Sequence, residues 1–517
     1  MAIADAARAY RATLAWLAAS LVFTAHAWPS WDTVVDDAYI SARYAEHAAS
    51  GHGLVYSADG EPMEGITNLL WTLLLALGRV VGVPMHSLLT GLGWAFGVLA
   101  LALMIPLARN LLGRDHVALV AAPLALAASP YFAVASTNGI ESSMMVAMVL
   151  LALASWTGAE STRERWLAAA AASALIWTRP EGIAVVGLLL LIDLWRHRDD
   201  LRPVVPMAAG VLGGQLLLTV WRATTYGALL PNTWAAKAEF QLSDTFVRNA
   251  PYLKPESTTL YAAAALLLVG IAAPPWSYRK LGATAAGLLL AVVPFTVQLW
   301  MPGLRLFLPS FAIALVFGVV AAARLLPSTG AILAGAAVAL AVGGHGVAVG
   351  ERVRSYDWRH SVQPDNGTAM AGRHLAEHLP EGSWMAIRDA GVFAYYVGPG
   401  VRVAETHQRA LTRPHPGGRH ADVLGYTPHN PEAVVLTIRR EARDNTEYAN
   451  DRQVFQRLGE PYVYLGRVYQ HYHRYYDVYV RADLDVPPLP SELVVNFKGP
   501  RPRQDATPDV APGARNP

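Results

Sequence analysis

The chain has 517 residues, of which 53% are hydrophobic and only 15% charged, and its formal net charge is +2. Soluble domains carry about 25% charged residues, so the composition argues against a soluble enzyme, and so balanced a bulk charge argues against a nucleic-acid binder. Cysteine is absent, which excludes disulfides, thiolate metal sites and cysteine nucleophiles.

A helix that crosses a bilayer needs about 20 mostly apolar residues. The first such run, 11–28, is preceded by Arg8 and Arg11 and followed by Trp28, Pro29 and Trp31. It reads as a span rather than a cleaved leader, because further spans follow and no small-residue cleavage site is convincing. After the polar stretch 29–66 come apolar runs at 67–83, 85–107, 116–135, 139–157, 165–178, 180–195, 203–223, 257–273, 280–300, 305–325 and 329–349. The region 67–107 is too long for one straight crossing at 1.5 Å per residue. It predicts one full span and a re-entrant or interfacial piece, broken near Gly82-Val83-Pro84. Beyond Glu351 the pattern becomes short strand-like runs (Ser383–Ile387, Ala433–Ile438, Tyr462–Tyr469, Tyr475–Val480) with a helical patch at Asn366–His378, which reads as a small α/β domain. Residues 484–517, rich in Pro and Arg, read as a disordered tail.

Cytoplasmic loops are enriched in Lys and Arg. Arg196-His197-Arg198 with Arg202 marks one inside loop. Working outward from it, Arg163/Arg165, Arg279/Lys280, Arg324 and Arg109/Arg114 also fall inside. The expected architecture is a polytopic α-helical membrane protein of about 11 spans with its N-terminus inside and a C-terminal soluble α/β domain outside. Residues 1–350 form the transmembrane domain with a first outer loop at 29–66, 351–483 the extracytoplasmic domain, and 484–517 the tail. The expected location is the inner (cytoplasmic) membrane.

The same walk puts the polar residues on the outer face. The first loop carries Asp36-Asp37 directly after a span, followed by an amphipathic segment 38–49 suited to the interface. Adjacent carboxylates there are costly unless solvated, paired or metal-bound; the bland reading is a helix cap. Glu64 and Asn68 close that loop, Glu141 opens a span, Arg179 and Glu181 interrupt an apolar stretch, Asn232 and Lys237 lie in an outer loop, and Arg305 joins two spans. Singly, the arginines could be snorkelling anchors and the acids helix-terminal charges. Jointly they suggest a site for an anionic, lipid-anchored substrate.

Several blocks resemble the GT-C membrane glycosyltransferases, most of all the mycobacterial terminal arabinofuranosyltransferase (AftB-like) group. They are Asp36-Asp37-Ala38-Tyr39-Ile40 with Arg43-Tyr44, Gly51-His52-Gly53-Leu54-Val55-Tyr56, and Glu64-Gly65-Ile66-Thr67-Asn68-Leu69-Leu70-Trp71. Later blocks follow in order: Gly139-Ile140-Glu141, Arg179-Pro180-Glu181-Gly182, Leu230-Pro231-Asn232-Thr233 with Lys237, Trp300-Met301-Pro302-Gly303 with Arg305, and Asp389-Ala390-Gly391 with Tyr395-Tyr396. The resemblance implies a GT-C-like catalytic domain in 1–350. It implies a polyprenyl-phosphate sugar donor used outside the membrane with inversion, and an aspartate of the first-loop pair as general base. Arabinofuranose is the sugar it favours, with mannose and other polyprenyl-linked sugars open. The acceptor is a cell-envelope glycan, a surface protein or a lipid.

The chemistry of such a transfer agrees. A sugar hydroxyl is a poor nucleophile and needs a carboxylate to take its proton; Asp36 or Asp37 would serve, the other orienting it or holding a divalent cation (Mg, Mn or Ca). A lipid phosphate leaving group calls for positive charge, for which Arg305, Lys237 and Arg179 are candidates. Arg43, Glu64, Asn68, Glu141, Glu181 and Asn232 are candidates for sugar or acceptor binding. A transporter or flippase of lipid-linked sugars is the alternative; it would need polar residues near the midplane or broken helices there, whereas within the spans ionisable residues are few, Asp193 and Gln215 are isolated and Arg222 lies near a span end. A membrane scaffold is the third reading.

Overall fold

The computed structural model describes residues 2–58, 62–232, 257–296, 305–360, 366–387, 391–405, 431–439, 461–471 and 474–493. The N-terminal part is helical. Among the described residues four helices are long and apolar enough to cross a membrane: Met85–Leu112, Arg202–Tyr226, Leu308–Leu325 and Ser328–Gly350, the last continuing to His360. Further helices, among them Ser142–Gly158, Thr162–Thr178, Glu181–Arg196, Ser257–Ala272 and Tyr278–Thr296, pack with them around one apolar core. Small residues allow the backbones to approach, as expected where apolar surroundings give helices no hydrophobic drive to associate. A Cβ at Gly93 would lie 2.3 Å from the Ser136 carbonyl oxygen, and Ser143 Oγ donates to the Gly93 carbonyl at 2.8 Å.

The expected break in 67–107 is present. Helix Leu69–Val80 ends at Gly82, whose φ of +86° suits glycine, and Pro84 leads into Met85–Leu112. At 1.5 Å per residue the first of these reaches only roughly 18 Å, too short to cross the hydrocarbon core. The run 116–135, expected as one span, is instead divided. A 3₁₀ turn at Val117–Val120 feeds helix Ala121–Ala127, and a new helix Pro130–Ala135 starts after Ser129. Pro130 lacks the amide that would continue the first helix.

The C-terminal part holds a five-stranded mixed sheet in the order β2-β1-β3-β5-β4, with β1 Trp384–Ile387, β2 Arg402–Glu405, β3 Ala433–Arg439, β4 Tyr462–His471 and β5 Arg474–Arg481. β1 lies parallel to β2 and β3, while β5 pairs antiparallel with β3 and β4. Arg467 and Asp477 face each other across β4 and β5 and form a buried bidentate pair, Nε–Oδ1 2.6 Å and Nη2–Oδ2 2.8 Å. Helices Gly367–His378 and Val392–Tyr396 cover one face, where Phe393 meets Tyr476 edge-on at 5.7 Å. The start of the expected tail is folded: Val486, Leu489 and Leu493 are buried in the sheet's core, and Leu489 N donates to the Leu465 carbonyl at 3.0 Å. Residues 494–517 lie outside the described ones.

The first loop shares that core. Tyr44, Tyr56 and Ile66 are buried together with Leu375, Phe393, Val403 and Tyr476. The helical part and the sheet part are therefore joined through the 29–66 segment.

Candidate active site

The first loop is held at both ends. Val35 N donates to the Asn138 carbonyl at 3.0 Å, pinning the turn before the acid pair against the start of helix Ser142–Gly158. Asp36 and Asp37 then lead into helix Ala38–Ala49. The helix-cap reading does not describe them: Asp37 occupies the cap position with no side-chain bond to the helix amides and is exposed. Asp36 is turned the other way, its Oδ1 accepting from the Val392 amide at 2.9 Å.

Behind the pair runs a buried polar chain. Ser41 Oγ and Asn68 exchange hydrogen bonds at 3.0 and 3.2 Å, and Asn68 Nδ2 donates to Glu141 Oε2 at 2.7 Å. Glu141 also pairs with Arg179 Nη1, while Arg179 Nε and Nη2 grip Glu181 at 3.1 and 2.8 Å. Arg179 is thus fully engaged, one guanidinium between two carboxylates. Arg305, half-buried at the foot of helix Leu308–Leu325, is not. Its charge is felt by Glu141, Asp37 and Glu181 and opposed by Arg179, yet it makes no hydrogen bond or ion pair to any described residue. Together with Arg179, Glu181, Ser142, Met145 and Leu290 it lines a cleft between the helix ends.

Other candidates sit elsewhere. Glu64 is buried, and both its oxygens accept from Arg222 Nε, at 3.0 and 2.7 Å. Its backbone carbonyl takes the Asn232 amide at 3.1 Å, so Glu64 and Asn232 tie the loop to helix Arg202–Tyr226. Arg43 is buried and donates only to carbonyls: Tyr56 at 2.7 Å, Gly398 at 3.1 Å, Val401 at 2.7 Å, and Ala394. Lys237, Met301-Pro302-Gly303 and Asp389 lie outside the described residues. The sequence reading missed two participants. Arg222 reads in the sequence only as a charge near a span end, and the Val392 amide has no side-chain signature at all.

Among the described residues no three His, Asp or Glu side chains converge on a point that could hold a cation, and Asp36 already accepts from a backbone amide.

No protein-family model matches the chain. A terminal β-(1→2)-arabinofuranosyltransferase of Mycobacterium tuberculosis is 30% identical over 245 residues, 43% of this chain and 38% of that protein, so the match spans well under half of the relative. Among solved structures, ArnT from Cupriavidus metallidurans bound to undecaprenyl phosphate superposes with a TM-score of 0.59 at 15% identity, covering 90% of this chain and 97% of that one. The archaeal oligosaccharyltransferase AglB of Archaeoglobus fulgidus, in complex with an inhibitory peptide and a dolichol-phosphate, gives 0.54 at 11% identity, covering 88% and 73%. At such identities these two likenesses speak for the fold. The chain therefore shares the fold of these two structures and, over 43% of its length, sequence similarity with the arabinofuranosyltransferase.

Proposed function

We propose that the chain transfers a sugar, arabinofuranose by its sequence kinship, from a polyprenyl-phosphate donor to a cell-envelope glycan, protein or lipid acceptor on the outer face of the cytoplasmic membrane, with inversion. The observation that carries this is the meeting of the acid pair with a guanidinium whose donors are open: Asp37, adjoining Asp36, lies within electrostatic reach of Arg305, which makes no hydrogen bond or ion pair to any described residue. The acceptor oxygen attacks the anomeric carbon as the bond from that carbon to the phosphate oxygen breaks, through a transition state of oxocarbenium character. The hydroxyl proton passes to an aspartate of the pair, with Asp36 favoured because its carboxylate is held in place by a fixed amide. Polyprenyl phosphate departs with both electrons of the broken bond. Arg305 offers its growing charge a planar fork of donors. Arg179, held between Glu141 and Glu181, keeps those carboxylates in place for sugar hydroxyls. Lys237 belongs to the same proposal as a second phosphate contact.

The count of about eleven crossings and the outward C-terminal domain rest on the distribution of Lys and Arg over the short loops. The transfer and the orientation are tested in one experiment. The purified chain, reconstituted with known orientation, receives a panel of polyprenyl-phosphate sugars, and release of polyprenyl phosphate is followed. Turnover is expected only with donor on the side of the C-terminal domain. No turnover across the panel would return weight to a transporter of lipid-linked sugars; turnover from the opposite side would overturn the orientation.

A further inference from the structure

The sheet part touches the proposed base itself. Val392 N donates to Asp36 Oδ1 at 2.9 Å. Gly391 stands so near that a Cβ there would lie 2.3 Å from both the Asp36 carbonyl oxygen and Oδ2. These are not flexible side-chain ends that could swing aside: one is main chain and the other is the group whose orientation matters. Gly391 and Val392 open the short helix Val392–Tyr396, and Arg43 fixes where that helix stands. From within helix Ala38–Ala49 its guanidinium donates to the carbonyls of Ala394, Gly398 and Val401 across the junction, while Nε donates to the Tyr56 carbonyl. Arg43 is 1% exposed, so water cannot replace those bonds if they are lost. The same helix stacks Tyr39 against Tyr395 and Tyr396, ring centroids 5.3 and 5.7 Å apart, and Tyr395 OH donates to Glu46 at 3.2 Å. One twelve-residue helix thus follows directly on the acid pair and carries the clip that brings Val392 to it.

We infer that Gly391 and Arg43 are positioning residues for Asp36, and that the active site is assembled from both parts of the chain: Arg43 clips the sheet part in place, Gly391 allows the contact, and the Val392 amide sets the direction of the Asp36 carboxylate. The inference rests on the reading of Asp36 as the base. Its physical content is pre-organisation. A carboxylate free to rotate spends much of its time in geometries that cannot accept the acceptor's proton, and misplacement of about 1 Å can cost on the order of 10²-fold in rate.

The test uses the full chain in detergent with farnesyl-phosphoryl arabinofuranose as donor. Donor-binding stoichiometry, donor Kd, kcat and KM are measured for Gly391→Ala, Val392→Pro, Arg43→Lys and Asp36→Asn. Val392→Pro removes the amide donor at a first helical position, where proline is tolerated, and decides the matter where Gly391→Ala does not accumulate. Counting turnover per donor-binding site removes the contribution of misfolded molecules. Expected are a fall in kcat on the order of 10²-fold for Gly391→Ala and Val392→Pro with donor Kd and KM unchanged, and a smaller fall in kcat for Arg43→Lys. Parental kcat in the folded Gly391→Ala or Val392→Pro protein, beside an inactive Asp36→Asn, overturns the positioning role and leaves the base in place. An active Asp36→Asn overturns the base and this inference with it.

Discussion

Two groups of buried charge lie at the ends of these helices, and they are built differently. In the first, Glu64 and Arg222 face each other in a closed pair, both partners nearly inaccessible, with two contacts from one nitrogen at 3.0 and 2.7 Å. In the second, Arg179 is shared by Glu141 and Glu181, a polar chain continues through Asn68 to Ser41, and Arg305 stands alongside with no described partner. In the closed pair the two charges neutralise each other, and the pair holds the loop to helix Arg202–Tyr226. In the second group two carboxylates and two guanidiniums balance in charge, but the N–H donors of Arg305 bond to no described residue and are open to something that arrives later. Sequence alone gives both groups the same appearance, acids and arginines at span ends. What separates them is which donors are already engaged.

The comparison breaks most readily at the acid pair beside the second group. Asp36→Asn is nearly isosteric and keeps an acceptor oxygen for the Val392 amide while losing the ability to take a proton. General-base catalysis is typically worth about 10²–10⁴-fold, and a loss of that size in donor turnover is expected at an unchanged melting temperature. Near-parental turnover would move the base to Asp37, where Asp37→Asn then has to show the loss.

The closed pair should respond in stability instead. Glu64→Gln leaves Arg222 buried without its counter-charge, and breaking a buried pair from one side costs about 3–5 kcal/mol. Replacing both partners, Glu64→Met with Arg222→Met, should recover much of that loss, because hydrophobic replacements of similar volume are often neutral. Turnover per folded molecule is expected to stay near parental in the double variant. A stable double variant without turnover would place Glu64 among the sugar-binding groups after all.

Arg305 gives the third and smaller effect. Hydrogen bonds to charged groups contribute about 1.5–3 kcal/mol, so Arg305→Ala should weaken donor binding roughly ten- to hundred-fold. Arg305→Lys keeps the charge and loses the fork, and should fall between. Isothermal titration with polyprenyl phosphate reads both. If the two variants bind like the parent, the leaving-group contact passes to Lys237.

How much of this was legible in the sequence depends on the range of the interaction. Helices with long apolar runs were readable, as was the break at Gly82-Val83-Pro84, because glycine and proline act locally. The division within 116–135 was hidden by an unbroken apolar composition in which only Ser129-Pro130 marks the change. β2 has four residues, too few for an alternating pattern to register. The segment 484–493 read as disorder because its prolines and charges outweigh three apolar residues spaced to meet the sheet. At the site, Asp36, Asp37, Glu141, Arg179 and Arg305 were singled out as one outward-facing set. The pairing of Glu64 with Arg222, 158 residues apart, and the donation from Val392 to Asp36, 356 apart, depend on tertiary structure alone.

The finest contrast between the two regions concerns acid. His47 lies on the anchoring side, in the helix that carries Arg43, with its Nδ1 2.8 Å from the Val55 carbonyl. A hydrogen bond at that distance to a carbonyl requires Nδ1–H, and the opposite nitrogen is buried without a partner. Burial, reinforced by the nearby Arg43 charge, lowers its pKa to about 4, against about 6.5 for an unperturbed histidine. Between those values the unfolded chain binds a proton that the folded chain does not. Stability from this group is therefore complete above about pH 6.5 and is lost as the pH falls toward 4, at up to about 1.4 kcal/mol per pH unit. His47→Asn keeps a donor at the Nδ1 position and cannot titrate. Its melting temperature relative to the parent should rise steadily as the pH is lowered through this window, while turnover per folded molecule follows the parent, since His47 belongs to the anchor and not to the acid pair. A gap between the two melting curves that stays constant from pH 7 to pH 4.5 would show that His47 does not carry this penalty.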